Sequence, residues 1–176
     1  MSARTVLHEA DISRALTRIA HEILESNRGA ESLVLLGIPT RGVTLARRLA
    51  SVIGEIASTT VAVGALDVTM FRDDLASQPT RSPRRTEIPA GGIDDKTVVL
   101  VDDVLFSGRS IRAALDALQS IGRPAVVRLA ILVDRGHREL PIRPDFVGKN
   151  IPSSRQERVN VRLREDDGAE EVTIEA

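Results

Sequence analysis

Short apolar strands alternating with amphipathic helices predict an α/β chain: a mostly parallel, twisted sheet flanked by helices. Three observations carry this expectation. LVLLG at 33–37 and TVVLVDD at 97–103 are apolar runs of strand length, suited to burial on both faces. Between such runs lie stretches with helical apolar spacing. The 176 residues hold three Phe and no Trp, Tyr or Cys, so Val, Ile, Leu and Ala must fill the core.

Taken in order, residues 11–27 place apolar side chains at 12, 15, 16, 19, 20, 23 and 24, one stripe of a helix. Asp11 is the expected N-cap, and Gly29 lies just past the end. The run 33–37 is a buried strand. Residues 43–53 (VTLARRLASVI) read as a second helix. TVAVGALDVT, 60–69, alternates and is rich in β-branched residues, which predicts a strand. Residues 72–92 then hold Pro79, Pro83, Pro89, Gly91 and Gly92 among polar side chains. A loop that long inside a domain is a functional flap or a disordered segment. A strand at 97–103, a helix at 110–122 closed by Gly122 and a strand at 125–134 follow. The chain ends in an expected strand pair, 158–163 and 171–176, around the turn DDG. Right-handed βαβ units bind ligands beyond the carboxyl ends of their strands, which directs attention to the loops after Leu36, Val101 and Val133.

Composition excludes several classes. Without Cys there is no thiol nucleophile, disulfide or thiolate metal site. The net charge of -1, from 24 basic and 25 acidic residues, offers no global attraction to nucleic acid. Arg is nevertheless crowded at 81–85 and through 135–164, against an acidic tail from Glu165. The first residues lack the apolar run of a signal peptide, and no run is long enough to span a membrane, so the expectation is a cytoplasmic protein that meets no membrane.

VVLVDDVLFSGRS, 98–110, carries the most chemistry. Two adjacent carboxylates, Asp102 and Asp103, end a strand, and Ser107, Gly108, Arg109 and Ser110 lead into a helix. A helix N-terminus offers free N–H groups and the positive end of its dipole. Gly108 admits close approach and the two Ser add hydroxyls, so the segment is a phosphate cradle. It has neither the Lys-Ser/Thr pair of a Walker A loop nor GxGxxG, which disfavours a kinase or nucleotide hydrolase. Carboxylates just before a phosphate cradle suit a ribose 5-phosphate.

The string resembles the 5-phosphoribosyl 1-diphosphate (PRPP) signature of the type I phosphoribosyltransferases. That resemblance implies their fold, with a small hood and a flexible flap. It implies that Asp102 and Asp103 take the ribose hydroxyls and that Ser107, Gly108, Arg109 and Ser110 take the 5-phosphate. GIPTRG, 37–42, resembles the family's diphosphate loop, with Gly37, Thr40, Arg41 and Gly42 as its members. LDVTMFRDD, 66–74, resembles the start of the flap, and Arg72 would reach the diphosphate as a catalytic group. Mg²⁺ would be carried by PRPP near Asp102 and Asp103, with no protein side chain as direct ligand.

From about Arg14 to Pro152 the chain also resembles the branch of that family that joins uracil transfer to control of pyrimidine operons. RALTRIAHEI, GIPTRG, LDVTMFRDDL, VLVDDVLFSGR, LVDRGHRELPIR and VGKNIP occur in that order. This implies uracil and PRPP as substrates and UMP as product, with the base near Asp134, Arg135, Gly136 and His137, held largely by backbone groups. It implies UMP-responsive binding to pyrimidine operon messenger RNA through Thr17, His21, Arg138, Arg143 and Lys149. Ser26 departs from the pattern, standing where related regulators carry Arg. The resemblance further implies a homodimer or homotetramer. One domain is expected over 1–176, its flap at about 72–92 and its base-binding hood mainly from 134–176 with the N-terminal segment. Two other readings stay open: a purine-base transferase, and a non-catalytic, nucleotide-sensing RNA-binding regulator.

Overall fold

The chain opens with a strand that the sequence pattern does not announce, β1 (Arg4–His8), and passes directly into α1 (Glu9–Asn27). The computed structural model describes residues 2–77 and 82–176, so 78–81 of the expected flap lie outside the described residues. On α1 the stripe Ile12, Ala15, Leu16, Ile19, Ala20 and Ile23 is buried. Fully burying each of the larger side chains is worth about 1.5–3 kcal/mol, so packing rather than propensity holds the helix. His8, not Asp11, occupies the N-cap position. Asp11 sits at the third helical position, where its carboxylate accepts the His8 N–H at 2.8 Å. At the other end Arg28 takes the left-handed conformation, and the Gly29 N–H bonds the Leu24 carbonyl at 2.9 Å.

The next elements are β2 (Leu33–Gly37), α2 (Arg41–Ala57) and a short β3 (Ala62–Ala65). The strand expected over 60–69 stops at Ala65 because the chain turns there: Leu66 N–H bonds the Gly37 carbonyl, and a 3-10 turn forms at Thr69–Phe71. Ala65 and Glu87 exchange backbone hydrogen bonds of 3.0 and 2.8 Å, which returns the far end of the 72–92 segment to the edge of β3. A side chain on Gly64 would collide with the Glu87 carbonyl.

After β4 (Thr97–Leu105), α3 (Arg109–Gln119) and β5 (Val126–Asp134) comes β6 (Phe146–Asn150). All five strands from β2 to β6 run parallel, in the order β3-β2-β4-β5-β6. The expected parallel sheet is present, but β6 corrects the boundary of the hood, since 146–150 belongs to the main sheet. The chain closes with β7 (Arg158–Arg162), a single helical turn α4 (Arg164–Asp167) and β8 (Glu171–Glu175). These strands pair with each other and with β1 as an antiparallel sheet, β1-β8-β7.

Alternate residues of the central strands point to opposite faces. Leu35, Val99 and Val101 meet α1, α2 and the second sheet, whose Val159, Val161, Leu163, Val172 and Ile174 join that same core. Val34, Leu36, Val98 and Leu100 meet α3 through Ile111, Ala114 and Leu118. The carboxyl ends of β2 and β4 are left facing the second sheet across a cleft.

Candidate active site

That cleft has a volume of about 1120 Å³ and is lined by Thr40, Arg41, Arg72, Asp102, Asp103 and Ser110, with the hood residues Asn160, Arg162 and Asp167 opposite. The structure therefore gathers members of three motifs that are far apart in the chain.

Asp102 and Asp103 lie within β4, not beyond it: Asp102 pairs with Ile131 and Val104 with Val133. Each carboxylate accepts the N–H of the following residue, at 2.9 Å from Asp103 to Asp102 and 2.8 Å from Val104 to Asp103. Burial, then the adjacent Asp103 charge, push the Asp102 carboxyl well above its ordinary value of 3.8, with Arg72 opposing. Gly42 makes this placement possible. A Cβ there would sit 2.5 Å from the Val101 carbonyl oxygen and 3.2 Å from Asp102 Cα. Gly37 faces the Gly42 backbone with equally little room. Both glycines bring strand and helix backbones together, and neither lines the cleft.

Of the segment expected to hold the 5-phosphate, Ser110 lines the cleft and Ser107, Gly108 and Arg109 do not. Gly108, at φ 93°, caps α3, and the Ser107 hydroxyl accepts the Arg109 N–H at 3.3 Å. The cradle has a brace that was not legible beforehand. The Ser107 carbonyl accepts the N–H groups of Glu139 (2.9 Å) and Leu140 (3.2 Å). Arg138 donates to the Phe106 carbonyl at 2.9 Å, to the Ile142 carbonyl at 2.8 Å and to Asp134.

Each arginine assigned to the donor is held by a carboxylate. Arg41 is paired with Asp167, Arg72 with Asp74, and Arg109 with Asp73 at 2.6 Å. These bonds, foremost, raise the three guanidinium pKa values.

The four residues expected to surround the base, Asp134, Arg135, Gly136 and His137, do not line this cleft. Arg135 is buried, donating to Ser153 Oγ (3.2 Å), the Ser154 carbonyl (2.7 Å) and the Glu157 carbonyl (2.7 Å) while stacking on Phe106. His137, at φ 66°, meets the Ser153 carbonyl through Nε2 at 2.5 Å. Burial raises the Asp134 carboxyl, but the Arg138 guanidinium and the Gly136 N–H outweigh it and hold the group below the usual range. The cleft instead presents Val104, Asn160 and Arg162. In β7, Val159 and Val161 are buried, so Asn160 and Arg162 must face away from the core. That alternation is readable in RVNVR.

Of the residues proposed for RNA, Thr17 and His21 on α1, Arg143, and Lys149 on β6 are exposed. Arg18 ties α1 to β6 by donating to the Val147 carbonyl at 2.9 Å and to that of Gly148. Arg138 stands apart, its guanidinium taken up by the brace.

Comparison with known proteins agrees with this architecture. Residues 2–165 match the phosphoribosyl transferase domain. The chain is 68% identical to the bifunctional protein PyrR of Leifsonia xyli over 180 residues, covering 99% of this chain and 98% of that one. With the protein of the same name from Streptomyces coelicolor it shares 63% identity over 174 residues, covering 99% and 90%. A solved hypoxanthine phosphoribosyltransferase of Trypanosoma cruzi superposes with a TM-score of 0.74 at 15% identity, covering 98% of this chain and 91% of that one. At that identity the likeness establishes the fold and leaves the base open. With members of three motifs at one cleft and its full length matched at this identity, the chain belongs to the phosphoribosyltransferase family and, within it, to the bifunctional PyrR proteins.

Proposed function

We propose that the protein converts uracil and PRPP to UMP and diphosphate, and that it regulates pyrimidine genes by binding their messenger RNA in response to UMP. The observation that carries the enzymatic reading is the single cleft shared by Asp102, Asp103, Ser110, Thr40 and Arg41. The 5-phosphate lies at the first turn of α3, the ribose at Asp102 and Asp103, and the diphosphate at Thr40 and Arg41. The base lies between Val104 and the Asn160–Arg162 face of β7, rather than against 134–137.

Mg²⁺ fits this site as part of the donor. Adjacent carboxylates, one of them pushed up by burial and its neighbour's charge, are relieved by a nearby cation. The ribose and diphosphate oxygens of PRPP would supply the ion's other ligands. Asp102 and Asp103 are the residues nearest to holding it, and the bound ion supplies positive charge to the diphosphate oxygens.

The C1–O bond to diphosphate breaks with its electron pair leaving on oxygen. A uracil ring nitrogen bonds to C1, and its proton is released. Asp102 and Asp103 place negative charge beside the developing positive charge on the ribose. The two loops fix the distance between C1 and the base, and Arg72, Leu75, Pro83 and Arg84, which line the cleft, exclude water from one side of it. Catalysis is positioning and electrostatics.

For RNA, the supporting observation is the exposed face on which α1 and β6 are tied by Arg18, carrying Thr17, His21, Arg143 and Lys149. A cytoplasmic location goes with this reading because operon transcripts and PRPP are met there, and the homodimer or homotetramer rests on the family resemblance alone. The experiment is a panel of free bases, each with PRPP and Mg²⁺, read as nucleoside monophosphate. UMP from uracil alone supports the proposal. IMP or GMP from purines replaces it with a purine enzyme, and no product despite UMP binding replaces it with a pure regulator.

A further inference from the structure

The hood carries a carboxylate that grips the diphosphate loop. Asp167 Oδ1 accepts Arg41 Nη2 at 2.6 Å, and Asp167 Oδ2 accepts Arg41 Nε at 3.0 Å. The same Oδ2 accepts the N–H of Leu163 at 2.9 Å, so the carboxylate is itself oriented by backbone. Its surroundings are fixed too. Thr44 Oγ1 donates to Asp166 at 2.7 Å, and Arg48 pairs with both Glu165 and Glu170. Residues 41, 44 and 48 lie on one face of α2 and hold 165–170 against it. None of this is needed merely to close the core, since Leu163 and Val172 already bury that end of the hood.

A carboxylate that takes the Nε–Nη2 edge of a guanidinium leaves the Nη1 edge free. Among the described residues Nη1 of Arg41 has no hydrogen-bond partner, and Arg41 and Asp167 both line the cleft. The geometry points to Asp167 as a positioning residue that aims the free edge of Arg41 at the diphosphate of the ribosyl donor. The inference rests on the phosphoribosyl-transfer reading and deepens it. Asp167 follows β7 by a few residues, so the strand that faces the base and the clamp on the diphosphate arginine belong to one piece of chain. The pairing is orientation, not mere neutralisation: the guanidinium keeps its charge, and its rotation is what the carboxylate removes.

The test compares wild type with Asp167→Asn in steady-state transfer, in inhibition by inorganic diphosphate and in binding of UMP, which lacks the diphosphate. Asn keeps an oxygen for Leu163 N–H but loses the charged bidentate pair. PRPP KM and the inhibition constant of diphosphate are expected to rise on the order of tenfold, the worth of one charge-assisted bond, while UMP affinity holds. Arg41→Ala should weaken diphosphate similarly, and adding Asp167→Asn to it should cost nothing more. Should Asp167→Asn not fold, Arg41→Lys tests the same point, because a lysine has no second edge to present. Unchanged or tighter diphosphate binding, or equal loss of UMP and diphosphate, overturns the inference. A wild-type protein that makes no nucleotide and binds no diphosphate overturns the transfer reading itself.

Discussion

Arg135 lies over the ring of Phe106, its guanidinium carbon 4.2 Å from the ring centroid. Phe106 immediately precedes the phosphate cradle, so the stack ties the cradle to the 153–157 turn that Arg135 also holds. His137 meets the same ring edge-on at 5.9 Å. Arg135 is thereby a strut. Arg135→Ala strands two carbonyls and removes the stack, and should cost about 2–4 kcal/mol of stability. Chemical denaturation checks this. A variant with wild-type stability and a raised uracil KM would make Arg135 a base contact after all.

Asp102 is predicted to trade stability for function. Its folded-state pKa lies above the ordinary 3.8, so the folded protein binds this proton more tightly than the unfolded chain does. Folding therefore loses stability as pH rises from about the ordinary carboxylate value through the raised one, and the cost is complete above it. Asp102→Asn removes that cost while keeping an acceptor for the Asp103 N–H. Its Tm at neutral pH should exceed wild type, and the difference should vanish in acid. Turnover should fall by about 10²–10³-fold through loss of preorganised charge. Asp103→Asn should likewise reduce turnover far more than stability. Thermal melts across pH beside a transfer assay decide it, a lower Tm for Asp102→Asn at neutral pH being the adverse result.

Gly42 is expected to tolerate no side chain. A Cβ 2.5 Å from the Val101 carbonyl forces α2 away from β4. Gly42→Ala should destabilise the protein by about 2–3 kcal/mol. It should also raise PRPP KM, because Asp102 and Arg41 move apart. Wild-type melting and kinetics for Gly42→Ala would show that the two backbones have slack.

For the RNA face, Lys149→Ala and His21→Ala should weaken binding to pyrimidine leader RNA in the presence of UMP. For the lysine, the salt dependence should flatten by about 0.7–0.9 in the log–log slope per lost phosphate contact. Filter binding over a salt series measures both. Arg138→Ala should behave differently, lowering Tm because three internal bonds are lost. If Arg138→Ala affected RNA alone, its place in the brace would be wrong.

Much of this was legible beforehand, and the exceptions share a cause. The helical stripe of α1 and the apolar runs of β2, β4 and β5 are local patterns, and they fold as read. The strand that carries Asp102 and Asp103 and the helix start after Gly108 were readable because a strand, an acidic pair and a helix start lie within one short string. β1 and β6 escaped because RTVLH and FVGKN are short and mixed, becoming strands only when β8 and β5 offer partners. Asp11 looked like a cap because nothing local says that His8 ends the preceding strand. Arg135 and Asp167 are instances of one limit. Charged residues near a strand end or in a turn look alike in sequence, whether they meet a ligand or another part of the chain. Their partners at Ser153–Glu157 and at Arg41 are chosen by tertiary folding.

The most direct test is a crystal structure of the protein with UMP. The expected placement is the phosphate on the N–H groups that open α3, the ribose hydroxyls on Asp102 and Asp103, and the uracil between Val104 and the Asn160–Arg162 face of β7. A base packed on Gly136 and His137, or a phosphate away from the Ser107–Ser110 turn, would contradict it.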